Sequence, residues 1–398
     1  MKIIFIGNPL PHKATNWLLS DKLHISQAGN TAQCDIIEGL SVLDPDITVI
    51  SRSPIGKKTE FILDNGVKTI GVSNININKP VFYLSIIPGQ FLLLKKVVKK
   101  AKGNKVIIIT HNLPIYVSLP VIIIKSIYRN VIWIPYLIDP IVYKYQGFFG
   151  YISNLSDKLI RKADGVITYV KQSVADYAPE LPYTIVNFSI NNNLLSLYKG
   201  NIKKEITKKP IIAYTGSLIS MYSIDLIIKV IMTTKNKYRW IFCGIGEFAN
   251  DLKKIAYENY IYNINYAGIV SREQAAEIQA NADLLLNIRG ADFSNENVAY
   301  SSKYAASGKI YEYLASGTPI LCTDIPAIPN EIKKYCILIN PADVTVENII
   351  NKLEWIFKSG NYLQLLEMAR NGQKYALDNF SNEKNNDIIN DFIKHFIR

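Results

Sequence analysis

Ser307-Gly308-Lys309-Ile310-Tyr311-Glu312-Tyr313-Leu314-Ala315-Ser316-Gly317-Thr318-Pro319 runs directly into Ile320-Leu321-Cys322. The stretch reads as a short helix followed by a buried strand. Ser307 or Gly308 can cap its start. Gly317 suits a left-handed C-terminal residue, and Pro319 blocks continuation. Ile310 and Leu314 share one face and should meet the core. Lys309 and Glu312 share another. A phosphate at the helix start would meet free backbone N–H groups, the positive end of the helix dipole and the Lys309 ammonium. Glu312 would then accept from the two hydroxyls of a ribose. By spacing alone, an ordinary surface Lys–Glu pair worth a few tenths of a kcal/mol remains the stronger reading.

The same helix-to-strand pattern recurs on both sides of this stretch. Short apolar runs at Ile3–Ile6, Ile47–Ser51, Val106–Thr110, Val131–Ile134, Val166–Thr168 and Thr184–Val186 predict strands of a first half. Ile211–Tyr214, Trp240–Cys243, Ile264–Ala267, Leu284–Leu286, Ile320–Cys322 and Ile337–Ile339 predict those of a second. Most are continuously apolar instead of alternating, the signature of parallel strands covered on both faces. Strand–helix alternation along the chain predicts two doubly wound, Rossmann-like α/β domains, with ligands at the carboxyl ends of the strands in a central cleft. At 398 residues the chain suits two domains of roughly 150–200 residues each. The polar stretch from Asn191 to Pro210 marks a linker at about 195–208, giving domains over 1–198 and 199–375. Residues 376–398 read as terminal helices that pack back on the first domain. Two loops missing from these runs, after Thr110 and after Ile138, carry the polar residues His111 and Asp139.

Composition narrows the function. Four scattered cysteines, Cys34, Cys243, Cys322 and Cys336, support neither a disulfide framework nor a zinc site, and read as buried thiols. Met1-Lys2 leads straight into the first strand run, so no secretory leader is expected. No segment reaches the ~20 continuous apolar residues of a membrane span. The net charge of +12 favours anionic partners. Lys95, Lys96, Lys99, Lys100, Lys102 and Lys105 cluster beside Phe91, Leu94, Val97 and Val98, which is either a solvated helix face or a surface for anionic lipid headgroups. No nucleic-acid module is recognisable, and nucleic acid is not an expected partner. The expected location is cytoplasmic, peripheral on the inner face of the cytoplasmic membrane. Asp44-Pro45-Asp46 reads as a turn, and no Asp-x-Asp element stands where a divalent metal would be needed. No cofactor and no metal are therefore expected.

The 307–319 segment closely resembles the donor-nucleotide motif of the GT4 family of GT-B glycosyltransferases, in which a glutamate at the place of Glu312 holds the ribose. The family's first glutamate falls on Tyr304, a departure. Asn287-Ile288-Arg289, Lys303-Tyr304-Ala305-Ala306-Ser307-Gly308-Lys309 and Ile325-Pro326-Ala327-Ile328-Pro329-Asn330-Glu331 resemble a branch of the family found in capsule and O-antigen clusters. Further elements resemble the family in order and spacing: Ile25-Ser26-Gln27-Ala28-Gly29-Asn30-Thr31, Leu159 to Thr168, Thr215-Gly216-Ser217-Leu218, and Cys243-Gly244-Ile245-Gly246. Many members clamp the diphosphate with an arginine and a lysine whose places here hold Ser217 and Tyr222.

The resemblance implies a GT-B fold and a retaining transfer of sugar from a nucleotide donor, UDP-linked, to a glycan acceptor, lipid-linked, in bacterial surface polysaccharide synthesis. Gly216, Ser217, Gly244, Arg289, Lys303, Tyr304, Ser307, Lys309 and Glu312 become candidates for holding the nucleotide sugar. Arg289, Lys309 and Lys303 are candidates for the positive charge a leaving diphosphate needs. His111 either contacts the donor sugar, as a histidine does in many members, or is a hydrogen-bonded structural residue. Asp139 either receives the acceptor proton or binds the acceptor, or caps a helix before Pro140. Two other readings stay open: a GT-B accessory subunit without turnover, supported by Ser217 and Tyr222, and a sugar-nucleotide 2-epimerase.

Overall fold

In the computed structural model the chain divides into two compact units, Met1–Ser189 with Asn382–Arg398, and Ile190–Ser381. The structure describes residues 1–11, 27–53, 57–73, 81–138, 158–190, 192–200, 206–257, 259–290, 296–305 and 307–397. The division falls earlier than 198/199. Asn192–Gly200 is a helix within the stretch read as linker, with Leu194, Leu195 and Tyr198 buried in the second unit.

Unit 1 is built on eight described strands: β1 (Lys2–Gly7), β2 (Thr48–Arg52), β3 (Thr59–Ile62), β4 (Lys68–Val72), β5 (Val106–His111), β6 (Val131–Leu137), β7 (Val166–Thr168) and β8 (Tyr183–Ile185). They lie in the order β3-β4-β2-β1-β5-β6-β7-β8. Every neighbouring pair is parallel except β3 with β4. Ile3 to Ile6, Ile107 to Ile109 and Trp133 are fully buried, as continuous apolar runs require. β3 and β4 are additions to the expected strands. β3 is an antiparallel edge whose residues alternate between partly buried and exposed. Gly71 permits it: a Cβ there would stand 2.5 Å from Thr59 Oγ1. The helix Asn382–Lys394 closes unit 1, where Asn385 bonds to the Asn187 carbonyl and Lys105 bonds to the carbonyls of Phe396 and Ile397 at 2.8 Å each.

Unit 2 carries β9 (Ile211–Thr215), β10 (Arg239–Cys243), β11 (Ile264–Gly268), β12 (Leu284–Asn287), β13 (Ile320–Thr323) and β14 (Ile337–Ile339). All of its pairs are parallel, in the order β11-β10-β9-β12-β13-β14. The order reverses between β9 and β12, which is where a doubly wound sheet opens a crevice at its carboxyl end. In unit 1 the reversal falls between β1 and β5. Each unit has its own apolar core, around Trp240, Phe242 and Leu286 in unit 2 and around Ile4, Ile108 and Trp133 in unit 1.

Candidate functional site

The loops after β9 and β10 are locked together by glycine. Gly216 N–H donates to the Cys243 carbonyl at 2.9 Å, and Leu218 N–H to that of Ile245 at 2.8 Å. A Cβ on Gly244, at φ 131°, would lie 1.8 Å from the Gly216 carbonyl oxygen. Only glycine can hold that conformation at that distance. Ser217 is exposed at the loop tip, and its carbonyl accepts from the Tyr214 hydroxyl at 2.6 Å.

The helix Gly308–Ser316 forms as expected and ends on Gly317 in the left-handed region, φ 73°. Ile310 and Leu314 are buried. Ser307 occupies the N-cap position, but its side chain makes no capping bond, and its Oγ is buried without a partner. The expected side-chain cap is thus absent, and a polar atom is left at the helix start.

Lys309 and Glu312 do not pair with each other. Lys309 Nζ donates to the Tyr214 hydroxyl at 2.6 Å, sits 4.2 Å from the centre of the Tyr214 ring and 3.4 Å from that of Tyr222. Burial of the ammonium, and then the nearby Arg289, push its pKa well below the usual lysine value. Burial likewise raises the Tyr214 hydroxyl well above its ordinary value. Arg289, directly after the loop residue Ile288 beyond β12, is only 2% exposed. Its guanidinium donates to the Ala305 carbonyl at 2.6 Å and lies 5.5 Å from the Tyr222 ring centre, while its Nε is buried without a partner. Tyr222 is therefore flanked by Lys309 and Arg289. Among the described residues no carboxylate pairs with either cation. Arg289, buried, and Lys309, half-buried, thus stand at the crevice without a carboxylate counter-charge among the described residues, an arrangement suited to an anion.

Glu312 accepts from Arg272 at 2.9 Å. Arg272 was not among the expected site residues. Lys303 and Tyr304 end the helix Glu296–Tyr304, with the Lys303 ammonium 5.0 Å from the Tyr304 ring centre and the Tyr304 ring tilted 48° against that of Tyr300, 4.5 Å away. The link from this helix to the site is the Ala305 carbonyl held by Arg289. Beneath the crevice lies a buried polar chain that sequence patterns do not announce. Tyr313 hydroxyl accepts from Thr215 N–H at 2.8 Å, Gln279 donates to Thr215 Oγ1 at 2.9 Å, and Tyr198 donates to Gln279 at 2.6 Å. It ties the end of β9 to three helices and so fixes where the glycine loop stands.

In unit 1, His111 ends β5 beside the switch point, its Cβ 3.2 Å from where a Cβ on Gly7 would be. Its Nε2 is buried without a partner, and burial lowers its pKa to about 4, so the ring is neutral at pH 7. No hydrogen bond among the described residues holds that nitrogen. The following Asn112 adopts φ 56° and bonds through Oδ1 to Ile138 N–H at 2.9 Å. The loop after β1 is held by Gln33, which accepts from Asn8 N–H at 2.7 Å, leaving Asn8 Oδ1 unpartnered. Asp139 lies outside the described residues, as do Ile25 and Ser26. Among the described residues no group of His, Cys, Asp and Glu could hold a metal ion, and no helix is long and apolar enough to cross a membrane.

Two doubly wound sheets, parallel but for the β3 edge of unit 1, make a GT-B fold like that of the solved glycosyltransferase structures. Residues 200–376 match the family described as glycosyl transferases group 1. The match covers less than half of the chain: residues 200–376 are similar to a glycosyltransferase domain, and an enzyme of that class is the reading it supports. No curated protein sequence matches the chain. Among solved structures, HepE from Anabaena in complex with UDP is 13% identical with a TM-score of 0.65, covering 99% of this chain and 100% of that one. Sucrose-phosphate synthase from Thermosynechococcus elongatus is 14% identical with a TM-score of 0.66, covering 100% and 99%. A glycosyltransferase from Rickettsia africae ESF-5 is 13% identical with a TM-score of 0.67, covering 100% and 98%.

Proposed function

We propose that this protein is a retaining glycosyltransferase that moves a sugar from a UDP-linked donor to a saccharide acceptor, lipid-linked, in bacterial surface polysaccharide synthesis. The observation that carries the donor site is the convergence of Lys309 and Arg289 on Tyr222 at the β9/β12 switch point. The diphosphate lies against these cations and the Gly216 loop, with the helix start at Ser307 to Lys309 donating to it. Glu312 takes the ribose hydroxyls. That HepE is solved with UDP and with UDP-glucose supports uracil as the base.

As the bond from the anomeric carbon to the diphosphate oxygen breaks, negative charge grows on that oxygen. Arg289 and Lys309 stabilise it without a divalent metal or other cofactor. The acceptor hydroxyl oxygen bonds to the same face of the anomeric carbon, and its proton passes to the departing diphosphate. No protein nucleophile is invoked. His111, neutral and with Nε2 unpartnered, serves a hydroxyl of the sugar. A lipid-linked acceptor accords with exposed Lys96, Lys99 and Leu92 on the helix Val81–Lys100, which would meet an anionic inner-membrane surface from the cytoplasmic side. Lys105 is removed from that set by its bonds to Phe396 and Ile397.

A thermal-shift panel of UDP-, GDP-, ADP- and dTDP-sugars should show stabilisation by a UDP-sugar, because a ligand of the native state alone raises apparent stability. Turnover by Glu312→Ala should then fall at least tenfold. Unchanged donor use by that variant would refute the site.

A further inference from the structure

We infer that Arg272 is a positioning residue which, by pairing with Glu312 across two helices, aims that carboxylate at the ribose hydroxyls and sets a preference for ribonucleotide over deoxyribonucleotide donors. The inference rests on the donor reading above. The pair joins the first residue of the helix Arg272–Asn281 to the middle of Gly308–Ser316, with Nη2 to Oε1 at 2.9 Å.

Local helix energetics do not account for an arginine at position 272. A cation in the first turn meets the positive end of the helix dipole, where an acidic residue is favoured. The helix start is secured without it, by a capping box in which Gln274 N–H donates to Ser271 Oγ at 3.2 Å and Ser271 N–H to Gln274 Oε1 at 2.9 Å. Nor do the two helices need the pair to stay together. Thr318 Oγ1 donates to the Gln279 carbonyl at 2.7 Å, and the buried Tyr313–Thr215–Gln279 chain links the same elements. With side chains 32% and 28% exposed, the ion pair is screened by solvent and adds little to stability.

What the pair does is fix a carboxylate. An ionised carboxylate offers about four acceptor sites, and Arg272 occupies one of them. Among the described residues the other oxygen, and the second lone pair of Oε1, have no partner, and the single bond to Arg272 restrains the swing of the carboxylate. Free to rotate, Glu312 would lose entropy on meeting the ribose. It would also stand as an uncompensated anion on the helix that carries the diphosphate site, and Arg272 offsets that charge.

The test measures binding of UDP and 2′-deoxyuridine diphosphate to wild type, Arg272→Gln, Arg272→Lys, Glu312→Gln and the Arg272→Gln/Glu312→Gln double variant. Wild type should prefer UDP by about tenfold or more, the worth of one hydrogen bond to a charged group. Arg272→Gln should lose most of that preference while keeping the wild-type melting temperature. Arg272→Lys should restore part of it. Adding Arg272→Gln to Glu312→Gln should change nothing further. Arg272→Gln with the wild-type preference intact, or effects that simply add in the double variant, would overturn the inference while leaving the donor site standing. Failure of wild type to bind UDP, or binding of both nucleotides alike, would overturn it from the other side, the former taking the UDP reading with it.

Discussion

The two switch-point crevices are built alike and charged differently. In unit 2 the crevice between β9 and β12 gathers Lys309 and Arg289, cations without a carboxylate partner among the described residues. In unit 1 the crevice between β1 and β5 gathers His111, neutral at pH 7, and the amide of Asn8. The same backbone frame thus serves an anion in one unit and, in the proposed reading, hydroxyl groups in the other. Backbone topology places loops at the carboxyl ends of strands, while the side chains on those loops choose the ligand chemistry.

The sharpest way to break this contrast is Lys309→Met. Removing this half-buried cation while keeping its volume should weaken UDP binding by about 100-fold or more, the scale of losing a charged transition-state or phosphate contact. The same variant should melt no lower than wild type, and even higher, because a desolvated charge is relieved. A lower melting temperature with donor binding intact would show that Lys309 is structural. Calorimetric titration and a melting curve read both effects.

Gly244→Ala comes next. Its methyl would meet the Gly216 carbonyl at a non-bonded distance of 1.8 Å, so the β9 and β10 loops must separate. A loss of about 3 kcal/mol in stability and a parallel loss of UDP binding are expected. Gly66, at φ 81° with open space around it, supplies the contrast: Gly66→Ala should cost stability alone.

His111→Asn tests the neutral crevice. Turnover should fall about tenfold or more while the dissociation constant for UDP stays unchanged, since the residue lies in the other unit. A rise in that constant with unchanged turnover would remove His111 from the sugar side. The same residue predicts a pH dependence of stability. Its folded pKa, about 4, lies below the unfolded value of 6.5. Its contribution is therefore complete above about pH 6.5 and is lost as pH falls towards 4, up to about 3 kcal/mol. Denaturant melts of His111→Asn should be flatter across that window.

The smallest effect concerns the basic helix face. Lys96→Glu with Lys99→Glu should reduce sedimentation with phosphatidylserine vesicles severalfold and leave UDP binding unchanged. Equal sedimentation of both proteins would confine those lysines to a solvated face.

Much of this was legible because burial on both faces leaves a continuous apolar run. All twelve expected strands appear, each within a residue or a few of its expected ends. β3 and β4 did not announce themselves. Thr59-Glu60-Phe61-Ile62 is a half-exposed edge with a charged residue inside it, and Lys68 to Val72 is short and interrupted by Gly71. In the candidate site, the Gly317 stop could be read from turn chemistry, whereas Gly216, Lys309 and Arg289 were singled out by the family resemblance. Tyr222 read as a missing cation. In space it is the surface on which two cations from other segments meet. Arg272 carried no signal, since an arginine at a helix start looks like solvent-facing charge until its partner is known.

The sequence by itself determined two parallel α/β halves and a phosphate-suited helix at Gly308, because strand burial, glycine turns and helix stops act within a few residues of the chain. The tertiary structure alone decided the partners. Lys309 turns to Tyr214 and Tyr222, whereas Glu312 turns to Arg272, though the two share one helical face. Those choices depend on which strand lies beside which, so residues far apart in the chain converge, and no local pattern encodes that convergence.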